Sequence, residues 1–317
     1  MNKWQQCTAR YACLLLVWVG ASNAATPAHA QQPASADETP TTVLAAAIQV
    51  DSAFGEPEVN RERLLALAEQ AAERGAKLIV LPETAVTGYM SDDIRTTWQV
   101  GEHTVTDGLI GRDPNDAAET VPGPSTDAFA VLSDEYDCYI TVPILEVDRK
   151  TGRYYNTIVV VGPDGERAIH YRKRNPWQFA ERGWAWVGNL GNPVIDTPYG
   201  RIGTIICFDI HEQGPIMAGL KVDHLLYCIA WVDVEDSDWF AVRLPERAAE
   251  HNLNIIGANW CLPQGYDGPA WHGHGMSRII ARDGTILAQA EDDPDRPAEI
   301  LYAELPVPVD SQGEADE

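Results

Sequence analysis

The chain has 317 residues, of which 45% are hydrophobic, enough for one large domain with a substantial core. It carries 47 acidic against 23 basic residues, a formal net charge of −24 at pH 7. This charge argues against nucleic acid and against anionic membrane surfaces as partners, because both would be repelled.

A signal peptide is predicted for residues 1–30. Lys3 and Arg10 give a positively charged start, and residues 12–20 form an apolar run too short to span a membrane as a mature helix. A membrane anchor is the alternative, and the short run makes it the weaker one. We therefore expect a secreted or periplasmic protein without membrane insertion.

The domain boundaries follow from the composition after this signal. Small-residue cleavage motifs end at Ala24 and Ala30, and the polar glutamines that come next favour the second. Residues 31–41, rich in polar residues and proline, are predicted to be a disordered leader. Residues 42–306 then form one domain, and residues 307–317 an acidic, solvated tail.

Four cysteines remain after cleavage: Cys138, Cys207, Cys228 and Cys261. None has the CxxC or Cys/His spacing of a zinc site, so we expect no metal and no cofactor. Cys228 and Cys261 both lie in or near late buried strands, where an oxidising compartment would allow them to pair. Two free core thiols are an equally good alternative.

The domain begins with a strand, a helix and a second strand. Val43–Val50 is an apolar strand of small residues, and residues 60–74 place their apolar side chains on one helical face. Gly75 fits the end of this helix, and residues 77–81 form the second strand. This order predicts a βαβ unit with parallel strands.

The middle of the chain combines a loop, a helix and a hairpin. Residues 91–122 are polar and aperiodic, which is typical of an insertion or an active-site loop. A helix is predicted at 125–136 and a strand at 138–145. Residues 156–161 and 166–171 have the pattern of a hairpin.

The second half is predicted to be rich in strands, with one longer helix. The helix contains Pro245 and should bend there. The predicted elements are strands at 193–197, 201–206, 224–231, 254–259 and 298–305, helices at 215–220 and 236–251, and a hairpin of 275–281 with 285–290.

Reactive side chains follow three of these predicted strands. Glu83 comes directly after a buried run, Lys173 follows the central hairpin, and Cys207 ends a β-branched strand. Within that strand Gly203 gives up packing, so we expect another backbone to pass close to it. A solvent-facing glutamate, a surface lysine and a buried thiol that acts as a small hydrophobe are the alternatives.

The residues around these positions resemble the nitrilase, or carbon–nitrogen hydrolase, superfamily. The matching motifs are Leu-Pro-Glu at 81–83, Tyr-Arg-Lys at 171–173 and Gly-Thr-Ile-Ile-Cys-Phe-Asp at 203–209, in that order. The similarity extends over about residues 43–305. It implies an α/β fold, a four-layer αββα sandwich, and a Glu-Lys-Cys triad.

The resemblance also implies a role for each residue of the triad. Cys207 would be the nucleophile, Glu83 the general base, and Lys173 the cation that stabilises the oxyanion together with the backbone N–H of Phe208. A free thiol is mostly protonated at neutral pH, so a nearby base and cation are needed to activate it. Water would then hydrolyse the acyl-thioester.

Two branches of the superfamily share further motifs with this chain. Glu181, eight residues after Lys173, is similar to the second glutamate of aliphatic amidases, where it would orient the lysine or the substrate. An exposed loop acid is the alternative. Cys-Phe-Asp-Ile at 207–210 and Ala-Trp at 230–231 are similar to the secreted biotinidase and vanin branch. Candidates for the substrate pocket are Tyr89, Trp177, Asp209, Trp231, Asn259 and His274.

The sequence therefore predicts an exported amidohydrolase that cleaves the C–N bond of a small, linear, non-peptide amide. The alternatives are an N-carbamoyl (ureido) hydrolase, a short-chain aliphatic amidase or an acyltransferase on the same fold. A non-catalytic ligand-binding member is a further alternative, because a fold alone does not prove activity. The resemblance also implies homodimers packed through a helical layer.

Overall fold

The computed structural model describes residues 41–89, 114–178, 181, 184–211, 220–231, 239–261, 275–290 and 298–308. The predicted signal peptide, the leader up to residue 40, residues 91–113 of the predicted loop and residues 215–219 of the short helix lie outside these ranges. So do His274 and the tail from residue 309.

The first half of the domain follows the predicted order of elements, with boundaries shifted by a few residues and one short helix, Pro114–Ala117, inside the predicted loop of residues 91–122. Its elements are β1 (Thr42–Val50), α1 (Pro57–Glu73), β2 (Leu78–Val80), α2 (Pro114–Ala117), α3 (Pro124–Tyr136), β3 (Tyr139–Asp148), β4 (Arg153–Val161) and β5 (Arg167–Arg172). The predicted βαβ unit is confirmed, because β1 and β2 pair in parallel with Ala46 opposite Ile79.

The second half is also built mainly of strands. Its elements are β6 (Val194–Thr197), β7 (Gly200–Ile206), a 3-10 turn (Cys207–Ile210), β8 (His224–Ile229), a π-helical turn (Trp239–Arg243), α4 (Leu244–His251), β9 (Asn254–Asn259), β10 (Arg278–Ile280), β11 (Ile286–Gln289) and β12 (Ala298–Pro306).

The strands form two six-stranded sheets. The first has the order β12-β1-β2-β3-β4-β5, and the second has the order β11-β10-β9-β8-β7-β6. The neighbouring strands β7, β8 and β9 are parallel, so their carboxyl ends lie at one edge of the second sheet. Loops beyond such an edge are a common location for binding sites.

Strand β1 shows how one sequence covers both faces of a central strand. Successive side chains of a strand point to opposite faces. Ala45 and Ala47 pack in the cluster shared with the second sheet, whereas Ala46 and Ile48 pack against the helices α1 and α3. With α4 packed on the second sheet through Leu244, this arrangement confirms the four-layer αββα sandwich.

The bend at Pro245 stays a prediction: the proline lies in the first turn of α4, directly after the π-helical turn, inside the helical run from Trp239 to His251. The expectation for Gly203 is wrong. Gly203 is not approached by another backbone. A Cβ there would meet the side chains of Val222 and Val194 at 3.0 and 3.1 Å.

All four described cysteines are free and buried, so Cys228 and Cys261 are not joined. Within the described ranges, no helix combines the length and the apolar character needed to cross a membrane.

A buried ion pair fixes the end of β5, next to the predicted catalytic lysine. Glu146 accepts hydrogen bonds from Arg172 at 2.5 and 3.0 Å, from the Thr157 hydroxyl at 2.7 Å, and is 2.9 Å from a ring nitrogen of His170. Burial raises the pKa of Glu146, but the hydrogen bonds from His170 and Arg172 lower it more, to about 2. The ionised form therefore belongs to the folded state.

Replacing Glu146 by alanine should lower the free energy of unfolding by about 3 kcal/mol at pH 7, because Arg172 would stay buried without its partner. The pKa of Glu146 is lower in the folded than in the unfolded chain, so its contribution is complete above about pH 4.5 and is lost as the pH falls toward 2. Urea unfolding at pH 7 and at pH 3 should show the difference between variant and wild type shrinking.

The exposed pair of Arg167 and Asp127 provides the control for this measurement. Its atoms are 2.5 Å apart, but the two side chains are 34% and 61% exposed. Asp127→Ala should therefore cost no more than about 1 kcal/mol. Equal losses in the two variants would contradict a special contribution from Glu146.

Candidate active site

Cys207 lies at the carboxyl end of β7, as the first residue of a tight 3-10 turn. Its φ is +39°, in the left-handed region that residues with a side chain rarely adopt, at a cost of about 1–3 kcal/mol. The neighbouring structure holds this conformation: the Tyr227 hydroxyl donates to the Cys207 carbonyl at 2.9 Å. The thiol is therefore held rigidly where the strand ends.

Lys173 follows β5 directly and is 1% exposed. Its Nζ donates to Glu83 Oε1 at 2.7 Å and to Glu181 Oε2 at 2.6 Å. Its backbone is fixed as well, because its N–H donates to the Asn156 carbonyl at 2.8 Å. Burial lowers the pKa of Lys173, but Glu181 and Glu83 raise it more, so the side chain stays an ammonium ion.

Glu83 follows β2 and is 2% exposed, so the alternative of a solvent-facing glutamate is wrong. Its backbone N–H donates to the Ile229 carbonyl at the end of β8, which ties its segment to the second sheet. Its Oε1 accepts from Lys173 and, at 2.6 Å, from Asn156. Its Oε2 is buried without a hydrogen-bond partner among the described residues. Such an orphaned acceptor is available to receive a proton.

The environment of Glu83 makes it a base that titrates near neutrality. Burial raises its pKa, the Lys173 ammonium lowers it and the Glu181 carboxylate raises it, leaving a value of about 7. A pKa near the working pH suits a group that must both accept and return a proton.

Glu181 is fully buried, so the alternative of an exposed loop acid is wrong. Its Oε2 accepts from Lys173 and from the backbone N–H of Trp177, at 2.6 and 2.5 Å. Its Oε1 accepts from Asn156 at 2.6 Å. Both of its oxygens are occupied, whereas Glu83 keeps one available.

Asn156 is a site residue that the sequence analysis missed, since it was taken only as the start of a strand. Its Nδ2 donates to both glutamates, Glu83 and Glu181. Because both partners are carboxylate oxygens, the amide nitrogen and not the oxygen must face them. An asparagine in an otherwise apolar, β-branched run was the available signal, because Asn is disfavoured in strands.

The charges of Glu83 and Lys173 both shift the pKa of the Cys207 thiol. Burial and the Glu83 carboxylate raise the pKa of its thiol well above the ordinary value, while the Lys173 ammonium lowers it. The resting thiol therefore carries its proton, and a base must remove that proton when the sulfur attacks.

Two of the predicted pocket residues are buried and hydrogen-bonded within the protein. The Asp209 carboxylate accepts from the Tyr171 hydroxyl and from two backbone N–H groups. Asn259 accepts from the Trp231 N–H at 2.8 Å and donates to the Gly275 carbonyl at 2.7 Å. The assignment of both residues to the substrate pocket stays a prediction.

Two of the aromatic candidates, Trp177 and Trp231, are linked to the cysteine turn through ring contacts. Phe208 is half-buried, with its ring centroid 6.4 Å from that of Trp177 and 5.1 Å from that of His211. His211 in turn is 5.4 Å from Trp231. Tyr89 packs on Trp260 with the centroids 5.9 Å apart. The described part of the turn is thus bordered by apolar rings.

Metal binding has no support in the described part of the chain, where no three His, Cys, Asp or Glu side chains are grouped to hold an ion. The expectation of a metal-free reaction stays a prediction.

The chain is similar to known carbon-nitrogen hydrolases. The carbon-nitrogen hydrolase family profile matches residues 44–309. Formamidases of Bacillus thuringiensis (strain Al Hakam) and Bacillus cereus (strain AH820) are 30% identical over 238 residues. That alignment covers 74% of this chain and 64% of each formamidase, so it spans less than two thirds of those relatives.

Solved structures show the same fold. A variant of the Nesterenkonia AN1 amidase from the nitrilase superfamily superposes with a TM-score of 0.66 at 18% identity, covering 83% of this chain and 90% of that one. Saccharomyces cerevisiae Nit3, of branch 10 of the nitrilase superfamily, superposes with a TM-score of 0.64 at 23% identity, covering 89% and 100%. The match of the family profile over residues 44–309 shows that the chain belongs to the carbon-nitrogen hydrolase family.

Proposed function

We propose that the protein is an amidohydrolase that cleaves the C–N bond of a linear, non-peptide amide through an acyl-thioester on Cys207. The observation that carries this proposal is the buried cluster of Glu83, Lys173 and Glu181, in which only Glu83 keeps an oxygen without a partner among the described residues. The family membership and the formamidase relatives support the class of reaction.

The first step is attack by Cys207 on the amide carbonyl. The thiol proton passes to Glu83 Oε2 as the C–S bond forms, and the carbonyl oxygen becomes an oxyanion. Lys173 and the backbone N–H of Phe208 stabilise that negative charge, which is worth most in a buried site. Lys173 can do this because Glu181 and Glu83 keep it protonated.

The intermediate then collapses and is hydrolysed. The C–N bond breaks, and protonated Glu83 gives its proton to the leaving amine. Water attacks the thioester while Glu83 takes one proton from it, and that proton returns to the departing sulfur of Cys207. The acid is released, and both side chains regain their starting states.

Glu181 and Asn156 support Lys173 and Glu83 without taking part in the proton transfers. Glu181 accepts from Lys173, Asn156 and the Trp177 backbone, so it orients the lysine and has no oxygen left for proton transfer. Asn156 binds one oxygen of each glutamate and thereby fixes which oxygen of Glu83 is available.

A short-chain aliphatic amidase is the second candidate, and the 30% identity to formamidases favours it. The N-carbamoyl hydrolase, the acyltransferase and the ligand-binding protein have no comparable observation behind them. Apolar rings beside the cysteine turn suit an uncharged acyl group.

A substrate panel tests the proposal. The protein is incubated with formamide, acetamide, hexanamide, an N-alkyl amide and an N-carbamoyl amine. Release of amine or ammonia, and intact mass spectrometry of trapped acyl-enzyme, are followed. We expect turnover of at least one amide and an acyl adduct on the Cys207 peptide.

Each other outcome of the panel counts against the proposal. An adduct on a different cysteine would overturn the assignment of the nucleophile. Release of CO2 from the carbamoyl compound alone would favour the ureidohydrolase. Preferential transfer of the acyl group to hydroxylamine would favour a transferase.

We also propose that the protein acts outside the cytoplasm and as a homodimer, on the pattern of residues 1–30 and on the family resemblance, respectively. N-terminal sequencing of the protein from the periplasm and the medium should give a start at Gln31. Light scattering should give twice the chain mass. Recovery of the intact N-terminus in the cytoplasm, or a monomer mass, would refute the corresponding proposal.

A further inference from the structure

We infer that Asp209 is a positioning residue that clamps the segment of the catalytic lysine onto the turn of the catalytic cysteine. The inference rests on the proposed function for the roles of Lys173 and Cys207. It assigns Asp209 neither to the substrate pocket nor to the proton transfers.

The first support is the set of groups that this one carboxylate gathers. Asp209 Oδ2 accepts from the Tyr171 hydroxyl at 2.7 Å and from the Ile206 N–H at 3.1 Å, and Oδ1 accepts from the Asn175 N–H at 2.7 Å. Tyr171 and Asn175 lie two residues before and two residues after Lys173. Ile206 directly precedes Cys207.

The second support is the position of these groups in the fold. Tyr171 belongs to β5 of the first sheet, whereas Ile206 ends β7 of the second sheet. No backbone ladder joins the two segments, since β5 pairs with β4 and β7 pairs with β6 and β8. Side-chain contacts therefore help to set the distance between the Lys173 ammonium and the Cys207 sulfur. Asp209 is hydrogen-bonded both to the Lys173 segment and to the residue before Cys207.

The third support is that protein donors engage both oxygens of the carboxylate. Asp209 is fully buried, with two donors on Oδ2 and one on Oδ1. Burial raises its pKa, while the nearby Lys173 ammonium and the hydrogen bonds from Tyr171, Ile206 and Asn175 lower it. The carboxylate therefore holds three protein donors in one geometry.

The clamp should matter for rate more than for affinity. Misplacing a catalytic group by about 1 Å can cost about 10²-fold in rate. Weakening the hydrogen bonds of Asp209 would leave the substrate pocket in place, but the distance between the Lys173 ammonium and the Cys207 sulfur would vary more.

The test uses two variants of the full chain and one matched control. Tyr171→Phe removes one bond of the clamp and keeps the ring. Asp209→Asn keeps the shape of the side chain but replaces one accepting oxygen by an NH2 group, which then faces a backbone N–H donor and cannot bond to it. Tyr139→Phe is the control, because Tyr139 is also a buried tyrosine of the first sheet but lies in β3 and does not contact Asp209 in the described hydrogen bonds.

Two readouts are measured for each protein. The first is the split of the effect between kcat and KM on the best amide of the panel. The second is the rate at which iodoacetamide alkylates Cys207, located by peptide mass spectrometry. The alkylation needs no substrate, so it reports on the clamp even if the amidohydrolase proposal fails, and an inactive wild type would count against that proposal alone.

We expect kcat to fall about tenfold in Tyr171→Phe, the scale of one hydrogen bond, and about 10²-fold in Asp209→Asn. KM should stay within about twofold, alkylation should slow in parallel, and Tyr139→Phe should match wild type. A rise in KM with unchanged kcat would overturn the inference in favour of substrate binding. Unchanged alkylation in Tyr171→Phe, which should fold even if Asp209→Asn does not, would also overturn it.

Discussion

Replacing Cys207 by alanine is expected to lower kcat for amides by about 10⁴-fold or more, the scale found when a catalytic nucleophile is deleted. Without the sulfur no acyl-thioester forms, and the remaining groups only polarise a bound carbonyl. Serine should not rescue the activity, because a hydroxyl gives up its proton less readily than a thiol and is a weaker nucleophile at neutral pH.

Steady-state turnover and acyl-enzyme trapping measure this effect in both variants. Cys138→Ala is the matched control: it also removes a buried free thiol, one whose pKa burial raises to about 12, but this cysteine directly precedes β3 and is not part of the candidate site. This control should keep the wild-type kcat. Substantial amide turnover by Cys207→Ala would refute the thioester mechanism, and an equal loss in Cys138→Ala would point to damage of the fold.

The elements of the fold could be predicted wherever burial imposes a simple period. β1, β2 and β8 are short apolar runs covered on both faces, and α1 has an apolar stripe that packs against the first sheet. The alternation of strand and helix then fixed the parallel pairing of β1 and β2, because such a unit has few other solutions.

The burial of the candidate triad at strand ends has a related reason. Lys173 and Cys207 directly follow β5 and β7, and Glu83 comes three residues after the end of β2, so strands hold the backbone of all three residues in place. Their identities carried the family resemblance. The burial of Glu181 could not be predicted, because a loop acid is ordinarily exposed.

The supporting residues could not be predicted, because their roles depend on strand register. Counting back from the β4–β5 turn, where Val161 faces Arg167, would place Asn156 opposite Arg172. A bulge between Val160 and Val161 shifts the count by one and makes Thr157 the partner of Arg172. Asn156 therefore lies beside Lys173. The bulge could not be predicted from the pattern of residues in the two strands.

The hydrogen-bond partners of Asp209 could not be predicted either. Its closeness to Cys207 in the sequence suggested a pocket, whereas its partners Tyr171 and Asn175 come from a segment more than thirty residues earlier. Contacts between two sheets are set by packing across the sandwich, which the one-dimensional sequence does not encode locally.

Replacing Glu83 by glutamine is expected to lower kcat by about 10³-fold, within the range attributed to general acid–base catalysis. The amide keeps an oxygen for Lys173 and Asn156 but cannot take the thiol proton. In the wild type, kcat/KM should rise with pH and level off above about 7, because only ionised Glu83 can act as the base. The variant should lose this limb of the profile, and Glu166→Gln, at an exposed turn, should keep it.

The ionisation of Glu83 should also make the stability of the protein depend on pH, in the opposite direction to the ionisation of Glu146. The pKa of Glu83 is higher in the folded chain, about 7, than its ordinary value of 4.5, so the folded state binds the proton more tightly. Stability should therefore fall as the pH rises from about 4.5 to 7, and Glu83→Gln should be free of that loss. Thermal unfolding should then give the variant a Tm advantage that is larger at pH 8 than at pH 5. A variant that kept the acid limb of activity, or whose Tm difference did not change with pH, would show that another group titrates as the base. Such a result would count against Glu83, which is proposed as the base because its buried Oε2 is a carboxylate oxygen without a hydrogen-bond partner among the described residues.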